Sequence, residues 1–184
     1  MGDMNEMRLR RRAAGLRIAT RVTIFALPAV VVAFGELAPA QDLLAVAKMP
    51  GTVIATFDPG TMAPWQRHVA VLVSLVPVAF LMLALRHLAC CFGNFAQGHT
   101  LTAENARHFS RFGAGIAIAV IASLITTPAL SVILTLGMPV GERQLAIGVD
   151  SNQFVSLLVA GGAWIVGAIM AEGARAAEEN AQFV

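Results

Sequence analysis

The chain of 184 residues is 57% hydrophobic and 13% charged and contains no tyrosine. Soluble domains carry about a quarter of their residues as charges, so this composition excludes an ordinary soluble fold and makes the bilayer the solvent. A span needs about 20 apolar residues, which leaves room for four helices with short connections. The apolar runs are continuous, not alternating, and so exclude a transmembrane barrel.

Residues 1–21 carry Arg8, Arg10, Arg11, Arg12, Arg17 and Arg21 against Asp3 and Glu6. A basic cluster directly before an apolar run is a topology signal, and no direct nucleic-acid binding is expected of it. Glu6 stands where a myristoylation signal needs Ser or Thr. The first span covers 22–40, with Pro28 predicting a kink and Glu36 near its far end. Ala38-Pro39-Ala40 has the form of a signal-peptidase site, and the alternatives are cleavage there or a retained anchor.

Residues 41–68 form a mixed outer loop with turn signals at Pro50-Gly51 and Asp58-Pro59-Gly60. Thr52 to Phe57 is rich in β-branched residues, as is Gln144 to Val149, and the two are expected to pair as a small extracytoplasmic two-stranded β cap. Trp65 reads as an interfacial anchor.

The second span, 69–91, contains Pro77 and ends near His87, Cys90 and Cys91. Adjacent cysteines project about 100° apart on a helix, and no second cluster supplies further ligands, so packing is favoured over a metal or redox site. No cofactor and no metal is expected.

Residues 92–111 form a cytoplasmic loop. Gln97-Gly98-His99 is a turn, Thr102 an N-cap, and Glu104 sits in the first turn of a short helix, followed by Asn105, Arg107 and Arg111. The third span, 112–138, has Pro128 and a stripe of Gly115, Ala119 and Ser123. The fourth, 154–171, follows an outer loop at 139–153 and has a matching stripe of Ala163, Gly167 and Ala171. Such stripes let helices approach closely, within one chain or in a homo-oligomer. Residues 172–184 continue as a helical tail with Glu178, Glu179, Asn180 and an apolar tip of Phe183 and Val184.

The chain is thus a single all-α membrane domain of four transmembrane helices. With both termini inside, ten Lys and Arg residues are cytoplasmic and three, Lys48, Arg67 and Arg143, are outside. This bias places the termini and the central loop in the cytoplasm and the protein in the bacterial inner membrane.

The stretches FAQGHTLTAENARHFSRFG and EGARAAEENAQFV resemble the two most recognisable segments of the DUF2975 family of bacterial four-helix membrane proteins, and the resemblance spans nearly the whole chain. His99 and Leu101 stand where other members often carry acidic and aromatic residues. The resemblance implies the four-helix fold and transfers no catalytic residue, since the family has no assigned activity. Its genes often lie beside small helix-turn-helix regulators, which implies that the membrane protein holds or silences a cytoplasmic DNA-binding regulator.

No spaced ligands, paired carboxylates or nucleophile with a base point to an enzyme. A small transporter or channel subunit is the alternative; its only mid-span polar groups are Ser74, Thr126, Thr127 and Ser131. An interaction protein fits better. Its expected docking residues are Gln97, Thr102, Glu104, Asn105, Arg107, Arg111, Glu178, Glu179, Asn180, Phe183 and Val184, with Arg107 and Arg111 approaching Glu178 and Glu179.

Membrane-impermeant thiol labelling of single-cysteine variants tests the threading. Probes at Gln41 and Asp150 are expected to react from outside intact cells and probes at Gln97 and Gln182 to stay protected; labelling at Gln97 would exclude this topology.

Overall fold

The four apolar runs become four long helices, because a chain in hydrocarbon must satisfy every backbone group internally. The computed structural model describes residues 2–139, 141 and 143–182, and the side chains of all but 2–6 and 180–182 among them. Helix α1 spans Gly2–Leu37, α2 Ala40–Val46, α3 Gly51–Thr56, α4 Pro64–Ala96, α5 Ala103–Thr135 and α6 Ser151–Gln182, with a 3-10 turn at Pro59–Thr61. No strand occurs among the described residues. Stretches of α1, α4, α5 and α6 are long and apolar enough to cross a membrane. Their outward surfaces are apolar, with Phe25 76% and Leu158 76% exposed. Such exposure suits lipid contact and would be a liability in water.

The helices outrun the apolar segments. Helix α1 continues through the basic flank, and Pro28, Pro77 and Pro128 lie inside α1, α4 and α5, each of which remains one helix. The expected loop at 92–111 contracts to 97–102, because its two halves extend α4 and begin α5.

The chain packs as two compact units. The first comprises Met1–Phe25, Phe80–Ile118 and Phe154–Val184. Here α5 meets α6 by close backbone approach: a Cβ on Gly113 would lie 2.6 Å from the Ala160 carbonyl oxygen, and one on Gly167 would lie 2.9 Å from the Ser110 nitrogen. The expected contact of the third and fourth spans therefore forms through Ala163 and Gly167 of α6. Its α5 side is Ala106, Ser110 and Gly113, while Gly115 faces Ala84 of α4 at 2.7 Å. Helix α1 contributes Ala13 and Thr20, both buried, and Arg17, whose guanidinium lies against the space over Gly93.

The second unit comprises Ala26–Ala79 and Ala119–Gln153. Its core gathers Leu43, Leu44 and Ala47 after α2 begins, Val53 and Phe57 around α3, and Leu130 and Leu134 of α5. The expected β cap does not form. Pro50 precedes Gly51 as an N-cap residue and its carbonyl accepts from Val53 and Ile54 at 3.0 and 3.1 Å, starting a helix. A helical turn brings Val53 and Phe57 onto one face, where both are buried; this packing overrides β propensity. Gln144 to Val149 has no regular structure and is held by α5 side chains instead of a strand, with Ala146 N donating to Ser131 Oγ at 2.9 Å.

Polar side chains close the helix ends of this unit. Arg67 Nη1 lies 3.0, 2.8 and 2.9 Å from the carbonyls of Gly35, Glu36 and Ala38, placing a cation on the carboxyl end of α1. Ala40, at the motif resembling a cleavage site, is buried in the core. Gln66, 1% exposed, donates from Nε2 to the Ile133 carbonyl at 2.6 Å and accepts at Oε1 from Ala63 N at 2.6 Å. Asp150 and Gln153 cap α6 reciprocally: Gln153 N donates to Asp150 Oδ1 at 3.2 Å and Asp150 N to Gln153 Oε1 at 3.0 Å. Lys48, left-handed at φ 57°, ends α2 and donates from Nζ to Asp150.

The Lys48 ammonium, with the Gln153 amide, holds the Asp150 carboxyl below its ordinary range. A carboxylate favoured in the folded state stabilises above its unfolded pKa and loses that contribution as pH falls through its folded value. The thermal midpoint of the detergent-solubilised protein is therefore expected to exceed that of Asp150→Asn by a constant margin above about pH 5, and the margin to shrink below about pH 4. A margin independent of pH would show that the pair contributes nothing.

Candidate functional site

The turn between α4 and α5 is built from local signals. Helix α4 ends in a Schellman arrangement: His99 N donates to the Asn94 carbonyl at 3.0 Å and Gly98 N to the Phe95 carbonyl at 3.1 Å. Gly98 supplies the positive φ of 87° that this ending requires. Four residues on, Thr102 Oγ1 accepts from Asn105 N at 3.2 Å and starts α5, with Glu104 in its first turn.

Asn105 ties the turn together. It is fully buried, and its Nδ2 donates to the carbonyls of His99 and Thr100 at 2.6 and 3.2 Å while Oδ1 accepts from Asn94 Nδ2 at 2.8 Å. Below it, Cys91 is buried with Sγ 3.6 Å from the Asn105 carbonyl, while Cys90 is exposed. Asn105 therefore shapes the turn and is not presented to a partner. Thr102 is half-buried as the cap, whereas Gln97, Glu104 and Arg107 are exposed.

Two histidines meet beside this turn. His87 Nδ1 of α4 lies 3.1 Å from His108 Nδ1 of α5, and His108 Nε2 lies 3.5 Å from Glu104 Oε1. One facing nitrogen must donate and the other accept, which fixes complementary tautomers. The Glu104 and His108 spacing of one helical turn was available in the sequence; the His87 and His108 meeting was not, because it depends on how α4 and α5 pack. Among the described residues no group of three or more His, Cys, Asp or Glu is arranged to hold a metal.

The expected approach of Arg107 and Arg111 to Glu178 and Glu179 does not occur: no ion pair joins them among the described residues. The two arginines instead share a groove with Arg175, a volume of about 600 Å³ floored by Ala103, Ala106, Gly167, Ala168 and Ala171. Geometry explains the difference. Leu101 lies 3.6 Å from the Cβ position of Gly173, so the turn is level with that part of α6, and α6 runs on beyond the start of α5. At 1.5 Å per residue, Glu178 and Glu179 lie past the end of their expected partners. Residues 175–179 are exposed at every position, and Arg175 pairs with Glu172 at 3.1 Å. The Asn180 side chain, Phe183 and Val184 lie outside the described residues.

Replacing Asn105 by Ala strands the Asn94 amide and removes both donors from the turn. Losing bonds to a buried polar group costs about 1–3 kcal/mol. The thermal midpoint in detergent is expected to fall accordingly for Asn105→Ala and to stay nearly unchanged for exposed Gln97→Ala. Equal midpoints would remove Asn105 from its organising role.

No family model matches the chain, and neither a curated protein nor a solved structure does so.

Proposed function

We propose that this is a multi-pass protein of the bacterial inner membrane, with its termini and the 97–102 turn in the cytoplasm, that acts by binding a cytoplasmic partner and not by catalysis. The observation carrying this reading is the end of α6, where residues 175–179 form an exposed helical turn projecting past α5. A helical segment uncovered on all sides draws little stability from packing, and Glu178 and Glu179 stand open to another molecule. The positive-inside bias of ten cations to three supports the orientation. The resemblance to the DUF2975 family supports a small helix-turn-helix regulator as the partner.

The transporter reading has less support. Ser74 Oγ donates to the Ala70 carbonyl at 2.8 Å, Thr127 Oγ1 to Ser123 at 2.8 Å and Ser131 Oγ to Pro128 at 2.7 Å. These hydroxyls satisfy their own helices, the usual way a polar residue is accommodated within a span.

Truncation after Ala177 tests the docking role. The truncated protein is expected to insert and fold with an unchanged chromatographic profile in mild detergent while losing the regulator that copurifies with the full chain. Undiminished copurification would place docking elsewhere.

A further inference from the structure

The groove between α5 and α6 in the first unit concentrates positive charge over an apolar floor. Arg107 and Arg111 lie one turn apart on α5, and Arg175 faces them from α6. Among the described residues no carboxylate lines the groove. Glu172 holds Arg175 from the rim through a pair whose members are 75% and 71% exposed, and Glu104 is directed to His108. Arg107 reaches only the carbonyl of Ala103, at 3.4 Å, and Arg111 makes no hydrogen bond or ion pair to a described residue. Three arginines border one concavity, only Arg175 has a carboxylate beside it among the described residues, and like charges gathered in this way favour an anion between them. Their planar forks match a phosphate in geometry as well as charge.

Its position in the chain narrows the anion's source. The large exposed apolar side chains of α6 run from Phe154 to Ile169, and α6 becomes polar at Glu172. The groove straddles that boundary, with Gly167 and Ala168 on its apolar side and Arg175 on its polar side. A soluble anion would gain nothing from the small apolar floor, whereas a phospholipid can lay its glycerol and acyl esters there with its phosphate among the arginines. Basic pockets between spanning helices on the cytoplasmic side are suited to acidic head groups.

We infer that this groove is a binding site for one anionic phospholipid, whose phosphate is held by Arg107, Arg111 and Arg175. The inference rests on the membrane-spanning reading above and not on the cytoplasmic partner.

The test is native mass spectrometry of the full chain, delipidated in neutral detergent and titrated with phosphatidylglycerol or phosphatidylcholine. One phosphatidylglycerol is expected to bind about tenfold more tightly than phosphatidylcholine, and Arg111→Gln/Arg175→Gln to abolish that preference. Arg8→Gln/Arg12→Gln, which removes the same charge from α1, should retain it. Should the first variant fail to fold, Arg111→Lys/Arg175→Lys keeps the charge but not the fork, and is expected to bind phosphatidylglycerol several-fold more weakly. Equal binding of the two lipids by the native chain would overturn the inference, as would equal losses in the α1 and groove variants. Binding by the lysine pair equal to the native chain's would also overturn it, and displacement by millimolar inorganic phosphate would assign the groove to a soluble anion instead. The chain truncated after Ala177 retains all three arginines, so its lipid preference should persist even where partner binding is lost.

Discussion

Backbone hydrogen bonding in a medium without water is the constraint from which this structure follows. Inside a helix the requirement is met automatically; at each end four carbonyls or four amides are left over. The chain closes these ends with side chains placed at the connections. Gly98 allows α4 to end in a Schellman turn, Thr102 starts α5, and buried Asn105 satisfies the carbonyls between them. In the other unit, Arg67 covers the carboxyl end of α1, Gln66 reaches the Ile133 carbonyl and Asp150 with Gln153 starts α6. These polar residues are few in an apolar chain, and several sit where a backbone group would otherwise be unpaired.

Lateral packing obeys a second rule. Lipid tails are as apolar as leucine, so burying large apolar side chains yields little and helix contact depends on close approach. Glycine and alanine accordingly occupy the contacts: Gly35 against Val71, Gly115 against Ala84, Gly113 and Gly167 between α5 and α6. Leu72, Ile125, Leu158 and Ile169 are left outward. At these helix contacts the soluble pattern is reversed, with small residues inside and large apolar ones outward, whereas the second unit keeps a core of Leu44, Val53, Phe57, Leu130 and Leu134.

These two rules also mark what was legible in the sequence. The four runs, the Gly98 turn and the Thr102 cap depend on nearby residues and could be read directly. The segment Thr52 to Phe57 misled because β-branched side chains favour a strand locally, while the Pro50 start and the burial of Val53 and Phe57 favour a helix. Asn105 reads in the sequence as a docking residue and Gln66 and Arg67 as ordinary polar ones; their roles depend on which carbonyls packing brings within reach. The Asp150 and Gln153 capping box has a spacing of three residues that is legible in the sequence. The Arg107 and Glu178 pairing was misplaced because sequence distance gives no level along neighbouring helices. Leu101 lies close to Gly173, which sets that level and carries the glutamates past the arginines.

The arginines show why counting charges is a coarse guide. A positive-inside tally treats every cation as equivalent, yet Arg67 is engaged with three carbonyls and Arg17 packs over Gly93 with its Nε buried and unbonded. Those two are parts of the fold, and removing either charge would alter packing. Arg107, Arg111 and Arg175 differ: they stand around an open groove, and among the described residues only Arg175 has a carboxylate partner, itself exposed to solvent. Clustered like charges oppose the folded state, and an exposed ion pair offsets about 0–1 kcal/mol at most. The stability of the α5 and α6 contact must therefore come from Ala106, Gly113, Ala163 and Gly167, and the three cations are a charge the fold carries without using. An anion that enters the groove removes this repulsion as it binds, so its binding also strengthens the helix contact that forms the site.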